Sequence, residues 1–592
     1  MSFKKPLGAS SRLSDDSRTS SPEPEGIPPP SRILLDEKLP GPLYGLPAID
    51  ASYRHSHTRA TGYLRSKATL RRERVQFELE LLSQKALWNA DLPIHSLPAE
   101  ILLQIFEQLT RPQLPGKLPS EWLVPDERPR RPWARLMQVC RHWCALIRNG
   151  VFFWKEVVVT KHTRWLDLAL SRLGRAPICI FLAPDCNLEL VLSVLSEHTD
   201  HIERLIFGRA LWDMDIPRVE SFLSRSFPVL RGLTISMDEP ADPAHPVGGS
   251  CCGLEWLQLD STSLPWTKSL LTHLEVLSLT DCCLSTPALS ISDFLDVLEH
   301  GQHLRYLYLT DFLSIALDPQ TFAPHERLVT LPGLQHLECN DMQVNVAHLM
   351  THLHTPAIVQ IELVGDCNRS VPSTAHASLL PRDLDTRFPI LQTITRASLD
   401  VYEYKNRLRV YHPSGTSFIL CLSNADTADW YWSLWLERGL SQLPTLLGPA
   451  LTELELRGAL DISQVTWDRV FDAFPALQRV IVHELYHLVL PLAMLRSLAT
   501  APTLSVTHGA EDTSVGQGRI VRVRCPALKH LQIDGWDWSR RAARQMLECL
   551  RVRAARGASR LEYFGTNAEW MVPLPVLEKF RAQFLKIVDK FV

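Results

Sequence analysis

Two hydrophobic periods divide this chain. From 60 to 89 no proline interrupts a run in which Leu64, Leu70, Val75, Phe77, Leu81, Leu82 and Leu87 stand among arginines and glutamates. One amphipathic helix is expected there. Apolar residues then recur every three to five positions at Leu97, Ile101, Leu102, Ile105, Phe106 and Leu109, and again at Trp133, Leu136, Met137, Cys140, Trp143 and Ile147. Each set lines one face of a helix, with Pro98 and Glu100 suited to the first turn of one and Asn149-Gly150 stopping the other. Beyond Trp154 the period shortens. The phrase L-x-x-L-x-L returns ten times, as HIERLIF (201–207), VLRGLTI (229–235), GLEWLQL (253–259), HLEVLSL (273–279), HLRYLYL (303–309), GLQHLEC (333–339), AIVQIEL (357–363), ALTELEL (450–456), ALQRVIV (476–482) and ALKHLQI (527–533). Each predicts a strand whose apolar positions enter a shared core while the residues between them face outward.

The first-half pattern carries a resemblance. Leu97-Pro98-x-Glu100-Ile101-Leu102-x-x-Ile105-Phe106, then Leu136-x-x-Val139-Cys140-Arg141-x-Trp143, closed by Phe153-Trp154, resembles the F-box over about a tenth of the chain. That family folds as a small helical unit that docks on a Skp-type adaptor and through it joins a cullin-RING ubiquitin ligase. The resemblance implies that Leu97, Pro98, Ile101, Leu102, Ile105 and Phe106 form the adaptor-facing or core-forming helix, with Val139, Cys140 and Trp143 packing behind. Which of them touch the partner is left open. Pro112, Pro115, Pro119, Pro125, Pro129 and Pro132 forbid a long helix between the halves and make this connection longer than is usual in the family. A charged helix leading into LPAEIL is similar to many fungal F-box proteins, and its imperfect heptad favours packing against its own domain over dimerisation.

The repeats carry a second resemblance. The phrase starts at Leu230, Leu254, Leu274, Leu304, Leu334 and Ile358 lie 24, 20, 30, 30 and 24 residues apart, which leaves room for a helix or turn to cross back. This is similar to a degenerate leucine-rich-repeat solenoid. The fold class expected is therefore α/β: a helical F-box unit followed by a leucine-rich-repeat-like solenoid of parallel strands with helices or turns on the outer side. The domains read as a Ser/Pro-rich tail (1–57), an amphipathic helix (58–90), the F-box (91–160), the solenoid (161–540) with an inserted hairpin near 399–434, and a C-terminal helical cap (541–592). The tail composition, SSRLSDDSRTSSPEPEGIPPPS, offsets too little ordering entropy to fold.

Composition narrows the function. With 45% apolar and 21% charged residues and a formal charge of −3, the chain lacks the basic excess that phosphate neutralisation requires, so nucleic acid is not an expected partner. No run reaches the roughly 18 apolar residues of a membrane span, and the N-terminus has no signal-peptide core, so no membrane partner and a cytoplasmic or nuclear location are expected. Thirteen scattered cysteines, many at apolar positions, read as reduced core residues, and neither Cys251-Cys252 nor Cys282-Cys283 has the spacing of a zinc knuckle.

His483-Glu484-Leu485-Tyr486-His487 spells HExxH, which in zinc hydrolases needs both histidines one helical turn apart. Here it follows Leu477-x-x-Val480-x-Val482, which predicts a strand, and no third ligand follows at a familiar spacing. No GxSxG, phosphate loop, dinucleotide fingerprint or RING-like ladder is present. The expectation is a non-catalytic substrate-recognition subunit of an SCF-type ligase, without cofactor or metal, whose protein target meets the outward residues Trp256, Gln258, Tyr306, Tyr308, His336, Glu338, Glu453, Glu455, Arg479 and His530, with His483 and Gln532 alongside. A non-degradative F-box scaffold and, further off, a zinc metallohydrolase are the alternatives.

Overall fold

The computed structural model describes residues 67–110, 132–208, 211–212, 214–237, 253–262, 271–282, 290–316, 327–367, 376–402, 405–423, 432–458, 461–484, 491–501, 523–535, 539–566 and 574–592. The chain divides into two compact units, Met1–Ser83 and Gln84–Val592. In the first, the described residues are helical, within a helix that spans Lys67–Ala90, and carry an Arg74–Glu78 pair one turn apart at 2.9 Å.

The second unit is mixed α/β, built on a large sheet of mostly parallel strands. In chain order the strands are β1 (Glu156–Val159), β2 (Ile178–Leu182), β3 (Ile202–Phe207), β4 (Gly232–Ser236), β5 (Trp256–Asp260), β6 (Val276–Thr280), β7 (Tyr306–Thr310), β8 (Val329–Thr330), β9 (His336–Met342), β10 (Leu353–His354), β11 (Gln360–Asp366), β12 (Arg396–Tyr402), β13 (Lys405–Tyr411), β14 (Ser417–Ser423), β15 (Glu453–Gly458), β16 (Arg479–Glu484), β17 (His530–Asp534), β18 (Leu561–Gly565) and β19 (Val588–Phe591). The short β8 and β10 pair with each other, and the remaining 17 form one sheet. Passing over the separate β8–β10 pair, each strand from β1 to β11 neighbours the next strand of the sheet in chain order, and the same holds from β15 to β19.

Each of the ten phrases is a strand, and the reason is visible in the burial. Leu257, Leu259, Leu277, Leu279, Leu307, Leu309, Leu337 and Cys339 are fully buried in aligned rows on one face. In most phrases the opening leucine is buried just before its strand, as at Leu254, Leu274, Leu304 and Leu334. After β5, β6 and β7 the chain leaves through Ser261, Asp281 and Asp311, all with φ near +50°. Short polar side chains tolerate this left-handed turn, which lets each N–H bond a carbonyl of the next strand (Thr280, Thr310 and Asn340) at 2.8–2.9 Å.

The stretch around 399–434 departs from a simple excursion. After β11 the chain skips two places to form β12, and β13 and β14 fill the gap, giving the order β11-β14-β13-β12-β15. The β12–β13 and β13–β14 pairings are antiparallel, and Gly415, at φ +93°, closes the second turn. An open gap would leave two rows of main-chain donors and acceptors unpaired, so the hairpin completes the sheet instead of decorating it.

Along the later strands the helices Gln464–Ala473, Leu492–Ala499 and Arg540–Ala555 pack in succession. Buried Arg553 ties their ends together, donating to the carbonyls of Leu498 (3.0 Å), Arg524 (2.8 Å) and Cys525 (3.0 Å). The expected helical C-terminus needs correction. The helix Leu574–Phe584 is followed by β19, which pairs with β18 because Val588 and Phe591 supply buried residues for one more row, with Phe591 stacked on Phe584 at 4.8 Å. The strands β1, β2 and β18 lie outside the repeated phrase and were not expected. The valines of β1 and the isoleucines of β2 are the signal that could have marked them.

Candidate functional site

The helix Ala99–Thr110 presents two faces. Leu102 and Phe106, one turn apart, are fully buried, and Phe106 packs on Trp143 with ring centroids 4.6 Å apart. Leu97, Ile101 and Leu109 are 37%, 41% and 62% exposed, with half-buried Ile105 completing a stripe at intervals of four. Pro98 is exposed immediately before the helix, and its carbonyl accepts the N–H groups of Ile101 and Leu102 at 3.1 Å. Exposed Leu92 and Ile94 flank the stripe in sequence. Ile105 packs partly against the core, while the exposed Leu97, Ile101 and Leu109 form the kind of apolar surface that a partner covers.

The segment expected as a single helix from Trp133 to Ile147 is two, Pro132–Leu136 and Arg141–Asn149. Cys140 is extended (φ −157°, ψ 167°), and its Sγ accepts the Trp143 N–H at 3.4 Å, so it caps the second helix where continuous periodicity had placed it inside one. Val139 is thereby turned outward, 56% exposed, and does not pack behind the first helix. Cys140 and Trp143 remain half-buried, with His95 stacked on Trp143 at 6.1 Å. Gly150 ends the helix by donating to Leu146 and Ile147. The proline-rich connection, 111–131, lies outside the described residues.

On the sheet the outward residues form rows across strands. Trp256, Val276, Tyr306 and His336 are register partners, as are Gln258, Ser278, Tyr308 and Glu338. Further on, Arg396, Glu453, Arg479 and His530 share one row, and Ser398, Glu455, Ile481 and Gln532 the next. Two expected contact residues are not open: Tyr308 is 7% and His336 2% exposed, because the large neighbours in their rows crowd them. The rings of Tyr308 and His336 stand 5.1 Å apart. Burial and then the nearby Glu338 push the Tyr308 phenol above its ordinary pKa, which keeps it neutral.

The later rows are charged and self-paired. Arg396 lies 3.7 Å from both Glu453 and Glu455, Arg407 is 3.2 Å from Glu362, Arg409 3.2 Å from Asp400, and Arg457 2.8 Å from Glu455. His483 sits in this lattice, 3.2 Å from Asp534 and 3.7 Å from Glu455. Both His483 and Glu484 belong to strand β16, which removes the helical turn that a paired-histidine zinc site needs, and Glu484 is buried. His487 lies outside the described residues. Among the described residues no cluster of three or more His, Cys, Asp or Glu is arranged to hold a metal. Cys179 is pushed up to about 12 by burial and then by Glu203, so its thiol stays protonated.

Residues 94–160 match the family model described as F-box-like. No curated protein matches the chain. No helix among the described residues is long and apolar enough to cross a membrane.

Proposed function

We propose that this chain is the substrate-receptor subunit of a Skp-cullin-F-box type ubiquitin ligase. The observation that carries the reading is the coincidence of the F-box-like match with the residues Leu97, Ile101 and Leu109, which are exposed at intervals along the helix while Leu102 and Phe106 fill the core beneath them. The stripe, with exposed Pro98, docks on a Skp-type adaptor. The sheet is a leucine-rich-repeat-like solenoid whose outward rows hold a protein target near the ligase's ubiquitin-charged partner. Rate enhancement comes from proximity, and this chain contributes no reacting group.

Co-purification of the full chain with a Skp-type adaptor tests the reading. Wild type retains the adaptor. A Leu97→Ala/Ile101→Ala variant loses it with an unchanged unfolding midpoint, because both side chains are exposed. Failure of folded wild type to bind any such adaptor overturns the proposal.

A further inference from the structure

One row of the outward face runs across six strands. Arg396 on β12, Glu453 on β15, Arg479 on β16, His530 on β17, Tyr563 on β18 and Lys590 on β19 are successive register partners. At its far end two cations flank two rings. The rings of His530 and Tyr563 stack at 5.0 Å with 21° between their planes, and the Lys590 ammonium stands 5.8 Å from the centre of the Tyr563 ring. Gly565 leaves room for the tyrosine, because a Cβ there would collide with its hydroxyl. Arg479 and Lys590 are exposed and the two rings half-buried, so this end of the row is open to solvent.

Most charge around it is already matched. Of the five arginines on β12, β13, β15 and β16, four are paired: Arg396 with Glu453 and Glu455, Arg407 with Glu362, Arg409 with Asp400 and Arg457 with Glu455. Beside the row, Lys529 is paired with Glu562 at 2.9 Å and Arg560 with Asp589 at 2.8 Å. Arg479, the fifth arginine, and Lys590 have no ion pair among the described residues. Glu453, next to Arg479 in the row, lies 3.7 Å from Arg396 instead. Two unmatched cations on a face that otherwise neutralises itself suit negative charge supplied by a partner.

Spacing indicates the form of that partner. Arg479 and Lys590 are three strand spacings apart, or about 14 Å. An extended chain rises about 3.3 Å per residue, so side chains four residues apart on one of its faces span about 13 Å. The two distances agree.

We propose that the β16–β19 end of the row takes an acidic segment of the target protein, extended across the strands, with carboxylates four residues apart on Arg479 and Lys590. The residue midway between them lies over the His530–Tyr563 pair, whose rings offer it apolar contact. The inference rests on reading this face as the target surface and narrows it from the whole sheet to four strands.

Dye-labelled peptide pools, degenerate except for a central leucine flanked two residues away on each side by glutamate, glutamine, lysine or phosphoserine, test this against the full chain by fluorescence anisotropy. The glutamate pool binds at least about fivefold tighter than the glutamine pool, as two exposed ion pairs allow. Arg479→Gln and Lys590→Gln each lower that preference and together abolish it, while Arg479→Glu with Lys590→Glu turns it toward the lysine pool. Lys405→Gln removes an exposed cation from β13 and leaves the preference intact. Unfolding midpoints stay unchanged throughout, because all three side chains are exposed. Equal binding of the glutamate and glutamine pools, a preference that survives the double variant, an equal loss with Lys405→Gln, or binding confined to the phosphoserine pool overturns the inference. Adaptor retention, measured on the same samples, separates the two proposals. Retained adaptor without peptide preference sinks the acidic-segment site alone, while peptide preference without adaptor leaves that site and sinks the ligase-receptor reading.

Discussion

The indole N–H of Trp154 donates to the main-chain carbonyls of Ile147, at 3.1 Å, and Arg148, at 3.2 Å. One buried side chain thereby satisfies the end of the helix Arg141–Asn149 and joins it to the start of the sheet, because β1 follows two residues later. Its ring packs against Trp133 on one side, at 5.1 Å, and stacks with Trp165 beyond, at 6.4 Å. The F-box-like unit is thus fixed to the sheet by packed aromatics. For a receptor working by proximity, that rigidity preserves the spacing between adaptor and target.

Replacing Trp154 tests this junction. Trp154→Phe keeps most of the ring packing and loses the donor, which costs about 1 kcal/mol, whereas Trp154→Ala costs about 3–5 kcal/mol. Urea unfolding of the two variants beside wild type gives both values. A Trp154→Ala protein as stable as wild type would contradict the junction described.

His376 makes stability depend on pH. It is fully buried, its Nε2 lies 3.0 Å from the Asn406 carbonyl, and burial pushes its imidazole down to about 4 from an ordinary 6.5. Between those values the unfolded chain binds the proton and the folded chain does not, so stability rises with pH across that window. Acidification from about pH 7 to about pH 5 therefore removes about 2 kcal/mol through this residue. Denaturant titrations at the two pH values, in wild type and in His376→Gln, check the claim. The variant is less stable at neutral pH but loses less on acidification, and an undiminished loss would assign the pH dependence to other groups.

Arg524 is an ionic clamp between helix and loop. Its guanidinium, 2% exposed, donates to Asp472 at 2.7 and 3.1 Å and to Asp468 at 2.6 Å. Arg524→Leu leaves two carboxylates near one another without their cation. Because both are only about a quarter exposed, the loss is about 2–3 kcal/mol, below that of a fully buried pair. Adding Asp472→Asn to Arg524→Leu recovers part of it. A double-mutant cycle by thermal unfolding with no coupling would show that the two side chains act independently.

Gly535 follows β17 at φ +84°, and a Cβ there would stand 2.0 Å from the carbonyl oxygen of Glu484. Gly535→Ala adds left-handed strain to a backbone collision and lowers stability by about 2–4 kcal/mol. The unfolding midpoint reads this directly, and a neutral substitution would mean that the two strand ends sit farther apart.

The chain's own pattern was sufficient for the ten phrase strands, for the helix around Leu102 and Phe106, and for the F-box-like match. Those features are local: a strand or helix with one buried face must repeat its apolar residues at a fixed interval, and the interval is written in the residues themselves. Tertiary structure decided the rest. Leu97, Ile101 and Leu102 are equally apolar on paper, and only packing separates the exposed stripe from the core. Cys140 fits a helical period yet caps a helix, since capping depends on the backbone conformation entering it. The strands β12 to β14 read as an insertion, but the places that they fill were created by neighbours far away in sequence. Tyr308 and His336 alternate outward like every other face residue, and only the register of β6, β7 and β9 crowds them into burial.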